Sequence, residues 1–99
     1  MINMSKPFKI EVDSENSLDS IVRILGVLRR SKLRVTRISV GLHDKNSVTQ
    51  LFVEGVDGEV NWVRNKLEKL YDVYEVDCVS ESRRVGTEPL LSGNSKTGG

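Results

Sequence analysis

The chain has one cysteine, Cys78, and one histidine, His43. A single cysteine excludes a disulfide within the chain and any CxxC zinc site. His43 stands far from Cys78 in a stretch that reads as a turn, so the pair offers no metal-ligand cluster. A Cys–His nucleophile is disfavoured as well, because Cys78 alternates with core positions and reads as a buried, inert thiol. Aromatic residues are scarce: two Phe, two Tyr and one Trp. Glycine never gathers into a GxGxxG or phosphate-binding loop. No apolar run approaches the ~20 residues of a membrane span. The opening "MINMSKPFKI" has no apolar signal core, so a cytoplasmic chain is expected. A surplus of charge is missing too: 15 basic residues face 14 acidic ones, for a net charge of +1. Non-specific nucleic-acid binders carry a larger excess. The acids Asp13, Glu15, Asp44, Glu54, Asp57 and Glu59 are scattered, and none is marked by its setting as a shifted catalytic acid. No enzyme site is legible.

What is present fits one small domain. Hydrophobic residues at 37% and charged residues at 29% suit a globular chain near the lower size limit for burying its own core. "KPFKIEVD" alternates, with Phe8, Ile10 and Val12 on one side and Lys9, Glu11 and Asp13 on the other, which predicts a half-buried strand. "SENS" breaks it, and Ser17 is a good helix N-cap, with Asp19 and Ser20 suited to the first turn. From Leu18 the period turns helical. Leu18, Ile21, Leu25 and Leu28 form the stripe, widened by Val22, Ile24 and Val27. Gly26 inside this helix costs ~1 kcal/mol against alanine unless another element packs close.

"LRRSKLRVTRISVG", residues 28–41, carries five basic residues and no acid. Arg29 and Arg30 fall in the last helical turn, where cations complement free carbonyls. "LRVTRISVGL" is a second strand. Leu33 and Val35 share one phase, Ile38 and Val40 the other, so a bulge or twist is expected near Thr36. "HDKN" is a turn. "SVTQLFVEGV" is a third strand, with Thr49, Leu51 and Val53 on one face and Val48, Phe52 and Val56 on the other. "DGEVNWVRNKLEKL" is a second helix, capped by Asp57, with Val60, Val63, Leu67 and Leu70 as its stripe. "YDVYEVDCVS" is the last strand; Val73, Val76 and Cys78 read as core, and Tyr74 shares a face with Val76.

The order is βαββαβ, which specifies an α+β ferredoxin-like fold: a four-stranded antiparallel sheet with two helices on one face. The domain spans residues 6–80. Residues 81–99, rich in Gly, Ser and charge, read as a flexible tail whose one apolar spot is Leu90-Leu91. The open face should show Thr36, Val48, Phe52 and Val40, so a homodimer through the sheet, by that face or an edge, is expected. RNA-binding modules of this fold stack bases on paired aromatics. Here Phe8 points to the core and Phe52 stands alone, so an RNA-binding role is the least favoured reading.

Three segments carry a family resemblance. "ENSLDSIVRILG", "RILGVLRRSKLRVTRISVG" and "VRNKLEKLYDVYEVDCV" are similar, in order and spacing, to the ACT domain of acetolactate synthase regulatory subunits. The last segment looks like that family's "LxKLxDVxxV". The resemblance covers residues 6–80 and is nearest the short, single-domain form. It implies a non-catalytic regulatory subunit that binds and activates the catalytic subunit in branched-chain amino acid biosynthesis. That partner would carry thiamine diphosphate, Mg and FAD; no cofactor is implied for this chain. ACT domains pair, and effectors bind at the pair's interface beside the first strand–helix loop. The implied effector-binding positions are Asn16, Ser17, Asp19, Ser20 and Arg34, with Arg37, Val48 and Phe52 as implied partner contacts. Asn16 aligns with an effector-binding asparagine. Asp19 stands where those relatives have a loop glycine, and its charge repels an effector carboxylate. Arg34 replaces a second asparagine, and Lys32 a helix-ending glycine. Weak or lost valine feedback is therefore implied. A free-standing ACT sensor for an amino acid, regulating another enzyme, is the alternative.

Overall fold

Alternation builds the first strand, and burial extends it. In the computed structural model, which describes residues 4–81, β1 (Lys6–Glu15) runs two residues past its alternating core. Ser14 continues the inward phase of Phe8, Ile10 and Val12 and is fully buried. The chain then forms α1 (Leu18–Arg30), β2 (Arg34–Leu42), β3 (Asn46–Gly55), α2 (Asp57–Glu68) and β4 (Val73–Ser80). The tail read from the sequence, with Leu90-Leu91, lies outside the described residues apart from Glu81.

The sheet has the order β2-β3-β1-β4 and is antiparallel throughout. Phe8, Ile10 and Val12 of β1 and Leu51 and Val53 of β3 share one core with Ile24, Val27, Val60, Val63 and Leu67 of the helices. Both helices therefore cover the same face. Leu51, Ile10 and Leu67 are wholly buried, and each is worth about 1.5–3 kcal/mol relative to an exposed side chain.

The phase switch in β2 is a bulge, as its sequence implies. Val35 pairs with Val53 and Arg37 with Phe52, leaving Thr36 out of the ladder. A second bulge corrects a reading of β4. Ser14 pairs with Val73 and Asp13 with Glu75, so Tyr74 is the extra residue. It is exposed while Val76 is buried; the inserted residue breaks the alternation that would have put them on one face.

Three other expectations change. The buried face of α1 is Ser20, Ile24, Val27 and Leu28, while Leu18 and Val22 are exposed. Asp57 is the first residue of α2; Val56 holds the N-cap position, with no side-chain cap bond. Nothing packs against Gly26, where an added Cβ would meet no atom within 4 Å. Gly26→Ala should therefore stabilise the chain by about 0.4–1 kcal/mol through a less flexible unfolded state. Urea melts of both proteins test this; a lower midpoint for the variant would show that the glycine is needed. Lys32 is also accounted for. Ser31 closes α1 in extended conformation, its Oγ donating to the Leu28 carbonyl at 2.7 Å. The Lys32 amide donates to Glu59 Oε2 at 2.8 Å, so no left-handed glycine is required.

Candidate functional site

The loop between β1 and α1 is built from short polar side chains that satisfy backbone groups. Ser17 is the N-cap, with extended φ/ψ, and its Oγ accepts from the Ser20 amide at 3.1 Å. The first amides of α1 have no intrahelical partner, and Asp19 stands exposed in that first turn. Asn16 Nδ2 donates to the His43 carbonyl. That bond stitches the β2–β3 turn to the loop.

Beneath the loop lies a group that sequence reading missed. Asp72, just before β4, is 2% exposed. Its Oδ2 accepts from Ser20 Oγ at 2.6 Å and from Arg23 Nη2 and Nε at 2.7 and 3.0 Å. Its carbonyl accepts the Glu15 amide at 2.9 Å. One residue thus fixes both the end of β1 and the first turn of α1. Arg23 continues outward, donating to the Tyr71 hydroxyl at 2.8 Å and lying over that ring at 4.8 Å. Burial pushes the Asp72 carboxyl up, but the Arg23 and Ser20 hydrogen bonds outweigh it and hold the group below its ordinary value. The matching bond raises Arg23. Oδ1 of Asp72 and Oγ1 of Thr49 are buried without a partner among the described residues. Ser14 and Ser47, both fully buried, share a contact of 3.0 Å between their Oγ atoms. All five buried polar residues, Ser14, Ser20, Ser47, Thr49 and Asp72, collect at this end of the fold.

Of the residues singled out in sequence, Asn16, Ser17, Asp19 and Ser20 come together here. Arg34 does not join them within one chain. It pairs with Glu54, whereas Asn46 pairs with Glu15, so the strand length separating the two ends is about 27 Å. Arg34 Nε instead contacts Glu54 Oε1 at 3.2 Å. Arg37, Val48 and Phe52 all lie on the open face. Arg37 is stacked over Phe52 at 5.2 Å, and Thr36 Oγ1 donates to the Phe52 carbonyl at 3.0 Å. Val48 borders a shallow depression with Glu11, Asp13, Glu75 and Asp77.

The open face is more polar than its sequence suggested. Val40 pairs with Thr49 and shares the helix-side face, not the open one. The larger apolar surface is at the β2 edge. Val35, Ile38, Val40 and Leu42 are exposed on the helix side of β2. Helical spacing puts Leu18, Ile21, Val22 and Leu25 on the α1 flank opposite Arg23. Arg23 reaches the α2–β4 connection, so that apolar flank faces the β2 side. Together these side chains make one apolar surface along an unpaired strand edge, the kind of surface a partner buries.

Catalytic groups do not assemble. No three His, Cys, Asp or Glu residues converge on a metal position among the described residues. Cys78 is half-buried against the core, and burial pushes its thiol up. No helix of the described residues is long and apolar enough to cross a membrane. The signal for Asp72 was present: it is the single acid in the "LxKLxDVxxV" pattern.

Compared with known proteins, the chain matches the family model of the ACT domain over residues 9–76. A search of curated proteins finds no match. Among solved structures, the ACT domain of GTP pyrophosphokinase from Chlorobium tepidum superposes with a TM-score of 0.70 at 17% identity, covering 77% of this chain and 100% of that one. The C-terminal domain of the MgtC protein from Mycobacterium tuberculosis gives 0.62 at 15%, covering 76% and 86%. A homoserine dehydrogenase from Thiobacillus denitrificans gives 0.65 at 14%, covering 79% of this chain and 18% of that one. At these identities the likeness is one of fold.

Proposed function

Because this chain belongs to the ACT-domain family, we propose that it is a regulatory subunit that binds and activates an acetolactate synthase catalytic chain. ACT domains are generally small-ligand regulatory modules, typically non-catalytic. The observation that carries the finer reading is Asp72. The one acid of the motif shared with those subunits is the buried residue that fixes the β1–α1 loop. In this reading the catalytic chain carries the thiamine diphosphate, Mg and FAD, and the open face with Arg37, Val48 and Phe52 meets it.

The functional unit is a pair joined at the β2 edges. Antiparallel pairing of β2 with its own copy about a two-fold axis puts Arg34 of one chain opposite Leu42 of the other. Arg34 then arrives at the second copy's Asn16–His43 end. The separation of about 27 Å within one chain is thereby closed across the pair. Backbone amides at a helix N-terminus and Arg34 both suit a carboxylate, which fits a branched-chain amino acid effector.

Asp19 opposes that effector, because its carboxylate stands among the amides that would receive another. Wild type should show no valine inhibition of the complex, and Asp19→Gly should bring inhibition in. Strong valine inhibition of wild type would refute the blocking role. The subunit assignment itself is tested by size-exclusion chromatography of this chain with its cognate catalytic subunit at micromolar concentrations. Co-elution is expected. Separate elution, with tight amino-acid binding by this chain alone, would point to a free-standing sensor of another enzyme.

A further inference from the structure

The bulge at Thr36 opens a second place on the molecule. Beside it, on the uncovered side of the sheet, is a cleft of about 290 Å³ lined by Pro7, Thr36, Arg37, Phe52, Glu54 and Glu81 among others. Its chemistry is of three kinds. Arg37 supplies a cation already oriented by stacking on Phe52 at 5.2 Å. Glu81 supplies an anion at a fixed place in the chain, because its amide donates to the Pro7 carbonyl at 2.9 Å. Phe52 and Pro7 supply an apolar wall. Among the described residues the ion pairs include neither Arg37 nor Glu81, whereas Glu54 is engaged by Arg34. Opposite charges thus line one cleft without meeting within 4 Å.

We propose that this cleft binds a small zwitterion, an α-amino acid with an apolar side chain. Its carboxylate lies on Arg37, its ammonium at Glu81 and its side chain against Phe52 and Pro7. The volume sits at the lower end of the roughly 300–1,000 Å³ typical of ligand pockets, which suits a single amino acid rather than a nucleotide. A polyanion is disfavoured by the two carboxylates, and a simple cation by the guanidinium. Stacking reduces the freedom Arg37 loses on binding. The cleft is at the opposite end of the sheet from the β1–α1 loop, and every residue in it comes from one chain. It therefore needs neither the β2-edge pair nor the catalytic partner, although a bound ligand would alter the face assigned to that partner.

The test is residue-by-residue NMR titration of the full chain with L-leucine, alongside N-acetyl-leucine and leucinamide, which each lack one charge. L-leucine should give saturable shifts at Arg37, Phe52 and Glu81. Each blocked analogue should bind at least about tenfold more weakly, about 1.4 kcal/mol. Arg37→Gln should abolish the response while its spectrum stays that of the folded chain, and Glu81→Gln should weaken it. Equal shifts with all three compounds would reduce the cleft to a non-specific apolar contact and overturn the proposal. No saturable shift at the cleft would overturn it as well. Shifts confined to Asn16–Ser20 would move amino-acid binding to the loop, sparing the regulatory reading while refuting the cleft.

Discussion

Ile38→Asp turns the wild-type dimer into a monomer. With Arg34 opposite Leu42 in a β2–β2 pairing, Ile38 falls at the two-fold axis, so two new carboxylates meet there. Each would be taken from water without a partner, and like charges in opposed strands repel. Association should weaken by more than about a hundredfold, or about 2.7 kcal/mol. The monomer fold should survive, because Ile38 is 46% exposed and stands outside the buried core. Sedimentation velocity reads the outcome. Phe52→Asp, on the open face, should remain dimeric. If Ile38→Asp also sediments as a dimer, the β2 edge is not the interface.

Asp72→Ala has the second large effect. It removes the acceptor shared by Ser20 and Arg23. Hydrogen bonds to a charged group contribute about 1.5–3 kcal/mol, so a loss of about 2–3 kcal/mol is expected. In a domain of this size that lowers Tm by roughly 10 °C or more. The pH dependence has a definite sign. The folded carboxyl lies below its ordinary value of 3.8. Its contribution is present above that value and fades as pH falls through the lower, folded one. Wild type should therefore lose part of its advantage over Asp72→Ala only in strong acid. Melting curves of the two proteins from neutral pH downward check this. A constant gap across that window would mean that the carboxylate charge contributes nothing to the fold.

Much of the fold was legible because each element announces its own period. β1 and β3 alternate, α2 keeps its stripe, and the phase switch in β2 marked the bulge at Thr36. The misreadings share one cause: side chains were sorted by apolarity before their polar partners were known. Leu18 outranks Ser20 as a core residue until Asp72 supplies a buried acceptor for the serine hydroxyl. Tyr74 shares a phase with Val76 until one inserted residue breaks the alternation. Val40 reads as open-face apolar surface until the bulge turns it to the helix side.

The candidate site was half legible. Ser17 was visible as a cap, and the loop around it followed. Asp72 was hidden, because an acid before a strand ordinarily reads as a solvated turn residue. The distance between Arg34 and Asn16 could not come from alignment, which orders positions along a chain but does not measure space. Pairing of the strand edges closes that distance, so the effector site belongs to the dimer rather than to the monomer.

The most direct measurement is acetolactate formation by the cognate catalytic subunit, titrated with this chain. Turnover should rise and level off at a fixed subunit ratio, and Asp72→Ala should blunt the rise at temperatures where it unfolds. Unchanged turnover across a micromolar titration of folded wild-type chain would contradict the regulatory-subunit assignment.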